Sequence, residues 1–185
     1  MRSLFLVLAA YFLCFSHQVK ASNIYTPYIG IDGIYGKMNA KGFNPFYLGA
    51  KATIGTTYNS YFGTELFFEQ VGSDSKKIDI HHKYTSSYRA YGLDLIGYLP
   101  FGQNKTFQML ASAGIGEYVF KEKLSGQKHH NNSAYGYRLG GGALYHLNNN
   151  LALKAMVYYT NFDHISHMDH MLSYTLGLRY FFTKE

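Results

Sequence analysis

The sequence predicts an all-β protein, a closed eight-stranded antiparallel up-and-down barrel that spans a membrane. Three observations predict it: eight segments in which apolar residues alternate with polar or small ones, connections that are long and short in turn, and a balanced set of charges on one face of the segments. Composition agrees, since 18% aromatic residues, 19 glycines and only 15% charged residues disfavour a disordered chain or a helical bundle.

Residues 1–21 are predicted to be a secretory signal peptide, and residues 22–185 the barrel domain. Arg2 supplies the early positive charge, an apolar stretch follows, and Val19 and Ala21 suit a cleavage site after Ala21. The apolar stretch is too short to cross a bilayer comfortably. Cys14, the one cysteine of the chain, lies in this segment, so the exported domain must be stabilised by packing or by a membrane and not by disulfides.

Alternation with a period of two residues predicts the eight strands. In the second strand, for example, Leu48, Ala50 and Ala52 share one face, whereas Gly49 and Lys51 share the other. The predicted strands, in chain order, are Tyr25–Tyr35, Phe46–Thr57, Phe62–Val71, Tyr88–Leu99, Phe107–Phe120, Tyr135–His146, Leu151–Thr160 and Leu172–Phe182.

The connections between these strands are sorted by length. The second, fourth and sixth are short, at 58–61, 100–105 and 147–150. The first, third, fifth and seventh are long and polar, around Gly36–Pro45, Gly72–Ser87, Lys121–Ala134 and Asn161–Met171. Up-and-down topology places all short turns at one end and all long loops at the other, which is typical of outer-membrane barrels and not of soluble β-sandwiches.

The charged residues favour the same architecture. The less apolar faces of the strands carry four acids and four bases, namely Asp32, Lys51, Glu65, Glu69, Asp94, Arg138, Lys154 and Arg179. Because an unpaired charge is costly in a packed lumen, a closed interior requires this balance, and eight strands leave no conducting pore. Ten glycines fall on the inward set: Gly30, Gly49, Gly55, Gly92, Gly114, Gly116, Gly136, Gly140, Gly142 and Gly177. Arg89 and Glu117 fall on the outward set, and we expect them at the membrane interface, paired with each other.

Aromatic residues cluster near the predicted strand ends, as expected for girdles at the two lipid–water boundaries. The predicted girdle near the short turns contains Tyr58, Tyr61, Phe62, Tyr98, Phe101, Phe107, Tyr145, Tyr180 and Phe182. The girdle near the long loops contains Tyr35, Tyr88, Tyr91, Tyr137, Tyr159 and Tyr174.

From about Ile24 to Phe182 the chain resembles the small eight-stranded outer-membrane barrels, which include the transmembrane domain of outer-membrane protein A and the opacity-type surface antigens. The resemblance rests on segments 28–31, 62–66, 113–116, the hairpin 142–153 and the terminal strand 178–182. It implies the cell outer membrane as location, and the lipid bilayer and the outer-membrane assembly machinery as partners. Together with the long polar loops, the resemblance implies a non-enzymatic surface protein whose role is adhesion, surface antigen or envelope structure. The expected ligand of the loops is a host or extracellular molecule. No basic helix suggests nucleic-acid binding.

An alternative interpretation is a lipid A deacylase-like esterase that uses His164 and Ser166. In an extended chain the two side chains would point the same way, and the deacylase family carries a His-x-Ser pair at this place. Zn²⁺ or Cu²⁺ binding is a third hypothesis, because Asp163, His164, His167 and His170 are closely spaced and the other loops also hold His81, His82, His129 and His130. Spacing alone fixes no site geometry, so we assign no catalytic, cofactor-binding or metal residues and expect no cofactor.

Overall fold

A computed structural model describes residues 25–40, 46–58, 61–73, 76–79, 82–101, 106–124, 130–163 and 168–182. The predicted signal peptide lies outside them. The described residues form nine strands: β1 Thr26–Ala40, β2 Phe46–Thr57, β3 Phe62–Ser73, β4 Lys76–Asp79, β5 His82–Phe101, β6 Phe107–Leu124, β7 His130–His146, β8 Leu151–Phe162 and β9 Met168–Phe181. None of the described residues forms a helix long and apolar enough to cross a membrane.

The strands close into a ring of antiparallel neighbours. Each strand except β3 pairs with the next along the chain, and β1 also pairs with β9. Strand β3 pairs with β5 instead of β4, from Phe62 opposite Gly97 to Val71 opposite Tyr88. The four-residue β4 pairs with the beginning of β5, so it extends one hairpin beyond the ring. The ring itself therefore has eight strands, and the predicted closed up-and-down barrel is confirmed.

Alternation along each strand separates the lumen from the outer surface. In β8 every second residue from Ala152 to Phe162 is buried, and most of the residues between them are exposed. The predicted faces of β2 are also confirmed, because Lys51 and Thr53 are buried whereas Leu48, Ala50 and Ala52 are exposed. The apolar side chains that the sequence places on the outer face are therefore available to lipid.

The strand ends at the short turns agree with the prediction, as does the start of β2 at Phe46, but the other strand ends at the long connections lie further out than predicted. Strand β5 begins at His82 and not at Tyr88, β6 continues to Leu124, and β7 begins at His130. Histidines 82, 130 and 170 consequently lie in strands and not in loops. Backbone pairing with a neighbouring strand satisfies the peptide groups of these polar segments. Because the segments lie outside the membrane, their sequence does not alternate between apolar and polar residues, and a prediction based on alternation misses them.

Two apolar clusters fill the lumen. The cluster nearer the long connections includes Tyr47, Phe67, Tyr88, Tyr118 and Phe162. The cluster nearer the short turns is formed by Tyr28, Ile96, Tyr98, Leu110, Leu144, Ala152, Met156, Tyr158 and Phe181. The lumen is thus a packed core, as expected for a barrel of eight strands.

Candidate functional site

All eight charges assigned to the interior from sequence are buried in the lumen. None of the side chains of Asp32, Lys51, Glu65, Glu69, Asp94, Arg138, Lys154 and Arg179 is more than 5% exposed in the structure. The predicted balance of four acids and four bases is therefore confirmed. The positions follow from the strand period alone, since each lies an even number of residues from other inward positions of its strand.

Glu65 is the centre of the larger part of this charge network. Its carboxylate lies 3.1 Å from Lys51 Nζ, 3.3 Å from Lys154 Nζ and 2.6 Å from a guanidinium nitrogen of Arg179. The hydroxyl of Tyr28 also donates a hydrogen bond of 3.2 Å to the carboxylate. Three cations converge on one anion, so Glu65 holds together strands on different sides of the barrel.

Arg138 is the centre of the smaller part. Its Nε and Nη2 donate to the two carboxylate oxygens of Asp94, the first at 2.6 Å, and its Nη1 donates to Glu69 at 2.6 Å. Such fork-shaped pairing is the strong geometry for arginine and carboxylate. Lys51 Nζ lies 3.9 Å from Asp94 and joins this part to the one around Glu65.

Asp32 is the most weakly held member of the network. Its Oδ2 lies 3.2 Å from Lys154 Nζ, yet neither carboxylate oxygen makes a hydrogen bond of good geometry among the described residues. With this contact, all eight charges form one connected network that crosses the lumen.

Aromatic rings cover three of the four cations of the network, Lys51, Arg138 and Arg179, which the sequence analysis did not foresee. The guanidinium carbon of Arg138 lies 3.3 Å from the ring centroid of Phe67, and that of Arg179 lies 4.0 Å from that of Tyr28. Lys51 Nζ lies 4.6 Å from the ring centroid of Tyr158 and donates to its hydroxyl at 3.2 Å. Cation–π contacts partly replace the hydration that the buried cations lose. The sequence did carry a signal for these contacts, because the aromatic residues lie an even number of positions from the charged residues of their strands and so face inward with them.

The inward glycines make room for these side chains. A Cβ added to Gly140 would lie 2.5 Å from Ser112 Oγ and 2.7 Å from Tyr158 Cδ1, closer than real contacts allow. One added to Gly116 would lie 2.8 Å from the ring of Phe67. The lumen therefore combines balanced charge with close packing, so side chains fill the interior of the eight-stranded barrel.

The outer surface carries a band of aliphatic residues between two aromatic girdles. The exposed aliphatic residues include Ile31, Leu48, Ile54, Leu95, Met109, Ile115, Leu139 and Leu176. Most of the predicted girdle residues are exposed. The prediction was wrong for Tyr88 and Tyr98, whose side chains are buried in the lumen. Both lie an even number of residues from the buried Asp94 on β5, so the strand period places them on the inward face. Their position near a strand end therefore did not indicate a girdle. Tyr25, Phe46 and Tyr135 are exposed girdle residues that the prediction missed.

Arg89 and Glu117 both lie on the outer surface, as expected, but the structure gives Glu117 a different partner. The two strand neighbours Tyr91 and Glu117 are directly opposite each other, and the Tyr91 hydroxyl donates to the Glu117 carboxylate at 2.5 Å. Arg89 lies opposite Val119 and is exposed. Its exposure leaves the guanidinium available to groups outside the protein.

The residues of the esterase and metal hypotheses fall largely outside the described part of the chain. His164, Ser166 and His167 are not among the described residues. His170 lies in β9, where its ring stacks on Tyr159 with a centroid distance of 5.3 Å. No group of three or more His, Cys, Asp or Glu residues within the described ranges could hold a metal ion. Both hypotheses stay predictions.

Comparison with known proteins relates the whole barrel to one family. The family described as outer membrane protein beta-barrel domain matches residues 5–182. No curated protein sequence matches the chain significantly.

Several solved structures have the same fold. Neisserial surface protein A is superimposed with a TM-score of 0.71 at 13% identity, covering 83% of this chain and 96% of its own. Ail, the attachment invasion locus protein of Yersinia pestis, has a TM-score of 0.61 at 17% identity, covering 85% and 98%. OprG of Pseudomonas aeruginosa has a TM-score of 0.57 at 17% identity, covering 85% and 96%. At these identities the likeness shows the fold alone.

Proposed function

Because this chain belongs to the family of outer membrane protein β-barrel domains, which lie in the outer membrane, we propose that it is a non-enzymatic surface protein. In this proposal the barrel is an anchor, and polar hairpins that project from it contact a ligand on a host cell or in the extracellular matrix. Two proteins of similar structure, Neisserial surface protein A and the attachment invasion locus protein Ail, are named for a surface location and for attachment, which supports the proposal.

The observation that carries the proposal is the uneven length of the strands. Strands β5 and β6 have 20 and 18 residues, whereas β2 and β8 have 12 each. A transmembrane strand needs about 9 to 11 residues, so β5 and β6 exceed this requirement by several residues on the side of the long connections. Pairing between them continues to Tyr84 opposite Leu124, which gives the projecting part a fixed backbone.

The assembly machinery of the outer membrane is a further proposed partner. Strand β9 ends at Phe181, and the exposed ring of Phe182 packs on Tyr180 with a centroid distance of 5.1 Å. The resemblance to the small barrels implies that a terminal strand ending in aromatic residues is what this machinery recognises.

Shortening one hairpin at a time tests the attachment proposal. Lys121 and Asn131 are directly opposite each other, so replacing residues 122–130 with Asn-Gly closes the β6–β7 hairpin without changing the register below it. The matched control replaces residues 38–45 with Asn-Gly, which closes the β1–β2 hairpin at Lys37 opposite Phe46. Bacteria that express each variant are counted on cultured epithelial cells and on a basement-membrane gel.

We expect the first variant to lose most attachment and the control to retain it, because β6 and β7 continue several residues beyond the girdle, whereas β2 begins at the girdle residue Phe46. Heat-modifiable gel migration verifies that each variant has folded. Equal attachment by both variants, or attachment by the wild type no greater than by cells without the protein, would contradict the proposal.

A further inference from the structure

Two unlike charges lie side by side on the outer wall of the barrel, at the girdle near the long connections. Arg89 on β5 is exposed, and Glu117 on the neighbouring strand β6 is half-buried. Arg89 lies opposite Val119, and Tyr91 lies opposite Glu117. The two charges are therefore diagonal neighbours on paired strands, with Cβ atoms about 7 Å apart.

Neither charge is neutralised by the other within the chain. The carboxylate of Glu117 accepts a hydrogen bond from the hydroxyl of Tyr91 at 2.5 Å, which leaves its negative charge in place. Among the described residues, the ion pairs lie in the lumen, and none of them includes Arg89. Both charges are thus available to a partner outside the barrel.

The stagger of the strands brings the two charges to nearly the same depth in the membrane. Opposite residues, followed from Phe101 on β5 towards β6 and once around the ring, lead back to β5 at Tyr91, ten residues further from the short turns. Each step from one strand to the next therefore rises by slightly more than one residue. Glu117 is two residues below the row of Arg89 but one strand further round, so the two differ in depth by only about 3 Å.

A second copy of the chain matches both charges at once. A twofold axis along the membrane normal, placed between β5 and β6, turns Arg89 of one barrel towards Glu117 of the other, and symmetry forms the reverse pair as well. Equal depth is what this axis requires, because rotation about the membrane normal leaves depth unchanged. A lipid phosphate would suit Arg89 but would be repelled by Glu117.

The apolar residues beside the two charges do not select the partner. Phe68 lies opposite Tyr91, Leu66 lies opposite Leu93 in the next row, and Phe68, Leu66 and Leu93 are exposed. In a bilayer these side chains contact lipid as favourably as they contact another barrel, so they give no preference. The charges supply the preference, because an ion pair at the edge of the hydrocarbon is less screened than one in water.

From this geometry we propose that the barrel forms a symmetric dimer in the outer membrane through its β5–β6 wall, held by two reciprocal Arg89–Glu117 ion pairs. The dimer uses the side of the barrel, and it does not depend on attachment to cells or matrix. Because pairing depends on concentration, a large excess of lipid keeps the barrels apart.

Charge reversal combined with energy transfer between labelled barrels tests the dimer. Residues 22–185 contain no cysteine, so Asn149→Cys in the exposed β7–β8 turn provides one position for a donor or an acceptor dye. The labelled proteins are reconstituted in phosphatidylcholine vesicles over a range of protein-to-lipid ratios. The test variants are Arg89→Glu and Glu117→Arg, and the matched control is Lys37→Glu, which reverses an exposed base on β1.

We expect the wild type and Lys37→Glu to show the same energy transfer. Each test variant should need at least about tenfold more protein per lipid to reach that transfer, because both ion pairs become like-charge contacts. Mixing donor-labelled Arg89→Glu with acceptor-labelled Glu117→Arg should restore the transfer, since the mixed dimer again pairs unlike charges at both positions.

Recovery in the mixture separates contact between two barrels from pairing within one barrel or with lipid. No transfer by the wild type at any ratio, transfer by the test variants equal to that of the wild type, or no recovery in the mixture would overturn the proposal. Heat-modifiable migration verifies that each variant has folded, and Glu117→Lys replaces Glu117→Arg if the latter does not fold.

Discussion

The carboxylate of Glu65 lies 2.6 Å from the guanidinium of Arg179, although the two residues are 114 positions apart in the chain. They belong to β3 and β9, which are separated in the ring by β1 and β2. The pair therefore reaches across the lumen and connects strands that share no backbone hydrogen bonds.

Glu65→Gln tests the importance of this central anion. The substitution leaves Lys51, Lys154 and Arg179 without their shared counter-charge, and breaking a buried ion pair costs about 3 to 5 kcal/mol. Urea unfolding in lipid vesicles, followed by heat-modifiable gel migration, measures the free energy of unfolding. The control is Glu117→Gln on the outer surface, where the charge-assisted hydrogen bond from Tyr91 becomes a neutral one, at a cost of about 1 kcal/mol. Equal losses in the two variants would contradict the prediction.

Asp32→Asn is expected to be much milder than Glu65→Gln. Asp32 is equally buried, but among the described residues Lys154 is its sole charge contact, and neither carboxylate oxygen makes a well-formed hydrogen bond there. Removing a poorly compensated buried charge relieves a desolvation cost, so the free energy of unfolding should change by no more than about 1 kcal/mol. The same urea titration measures it, and a loss as large as that of Glu65→Gln would be the contrary result.

Adjacent glycines on β7 provide a matched steric test. A Cβ at Gly140 would lie 2.7 Å from Tyr158, whereas one at Gly141 would lie 3.9 Å from the nearest carbonyl oxygen, that of Leu110. Gly140→Ala should therefore destabilise the barrel by about 1 to 3 kcal/mol through overpacking. Gly141→Ala should be neutral or slightly stabilising, because alanine has less freedom in the unfolded chain. Urea unfolding should therefore give a lower midpoint for Gly140→Ala than for Gly141→Ala, and the reverse order would contradict the prediction.

The wild-type barrel should not conduct ions. The charge network and the aromatic cluster that includes Tyr88 and Tyr118 block the lumen at successive levels. Tyr118→Ala should still give no stable current, since the network remains in place. Single-channel recording in planar bilayers measures this, and reproducible conductance steps from purified wild-type protein would contradict it.

The mature protein should begin at Ser22. Intact-mass spectrometry of the protein from outer membranes should give the mass of residues 22–185, and Ala21→Leu should impair processing because a large residue precedes the cleavage site. A mass that includes residues 1–21 would be contrary to the predicted signal peptide.

Much of the barrel could be predicted from the sequence because its two faces meet different solvents. Lys51 on β2 and Lys154 on β8 each alternate with apolar neighbours, so the strand period alone places both inside. The same rule, applied to Tyr88 and Tyr98, would have placed them in the lumen. Their position near predicted strand ends was a weaker criterion than their parity with Asp94.

The partners of the charges could not be predicted in this way. Alternation says that Glu65 and Arg179 both face inward, but their meeting depends on how the strands are staggered when the ring closes. The length of β5 was equally hidden, because its first residues pair with β4 and those from Tyr84 to Ser87 pair with β6 beyond the membrane, where lipid no longer imposes a pattern.

The lumen charges are segregated along the chain, and this bears on how the barrel enters its membrane. The first four strands of the ring hold all four buried acids and one base, whereas the last three hold the other three bases. Neither part is neutral by itself, and β6 between them carries no buried charge among the side chains that the structure describes, from Phe107 to Lys121. A partly inserted chain would expose uncompensated charge to hydrocarbon, so insertion and ring closure must proceed together, with attraction between the two ends drawing β9 to β1.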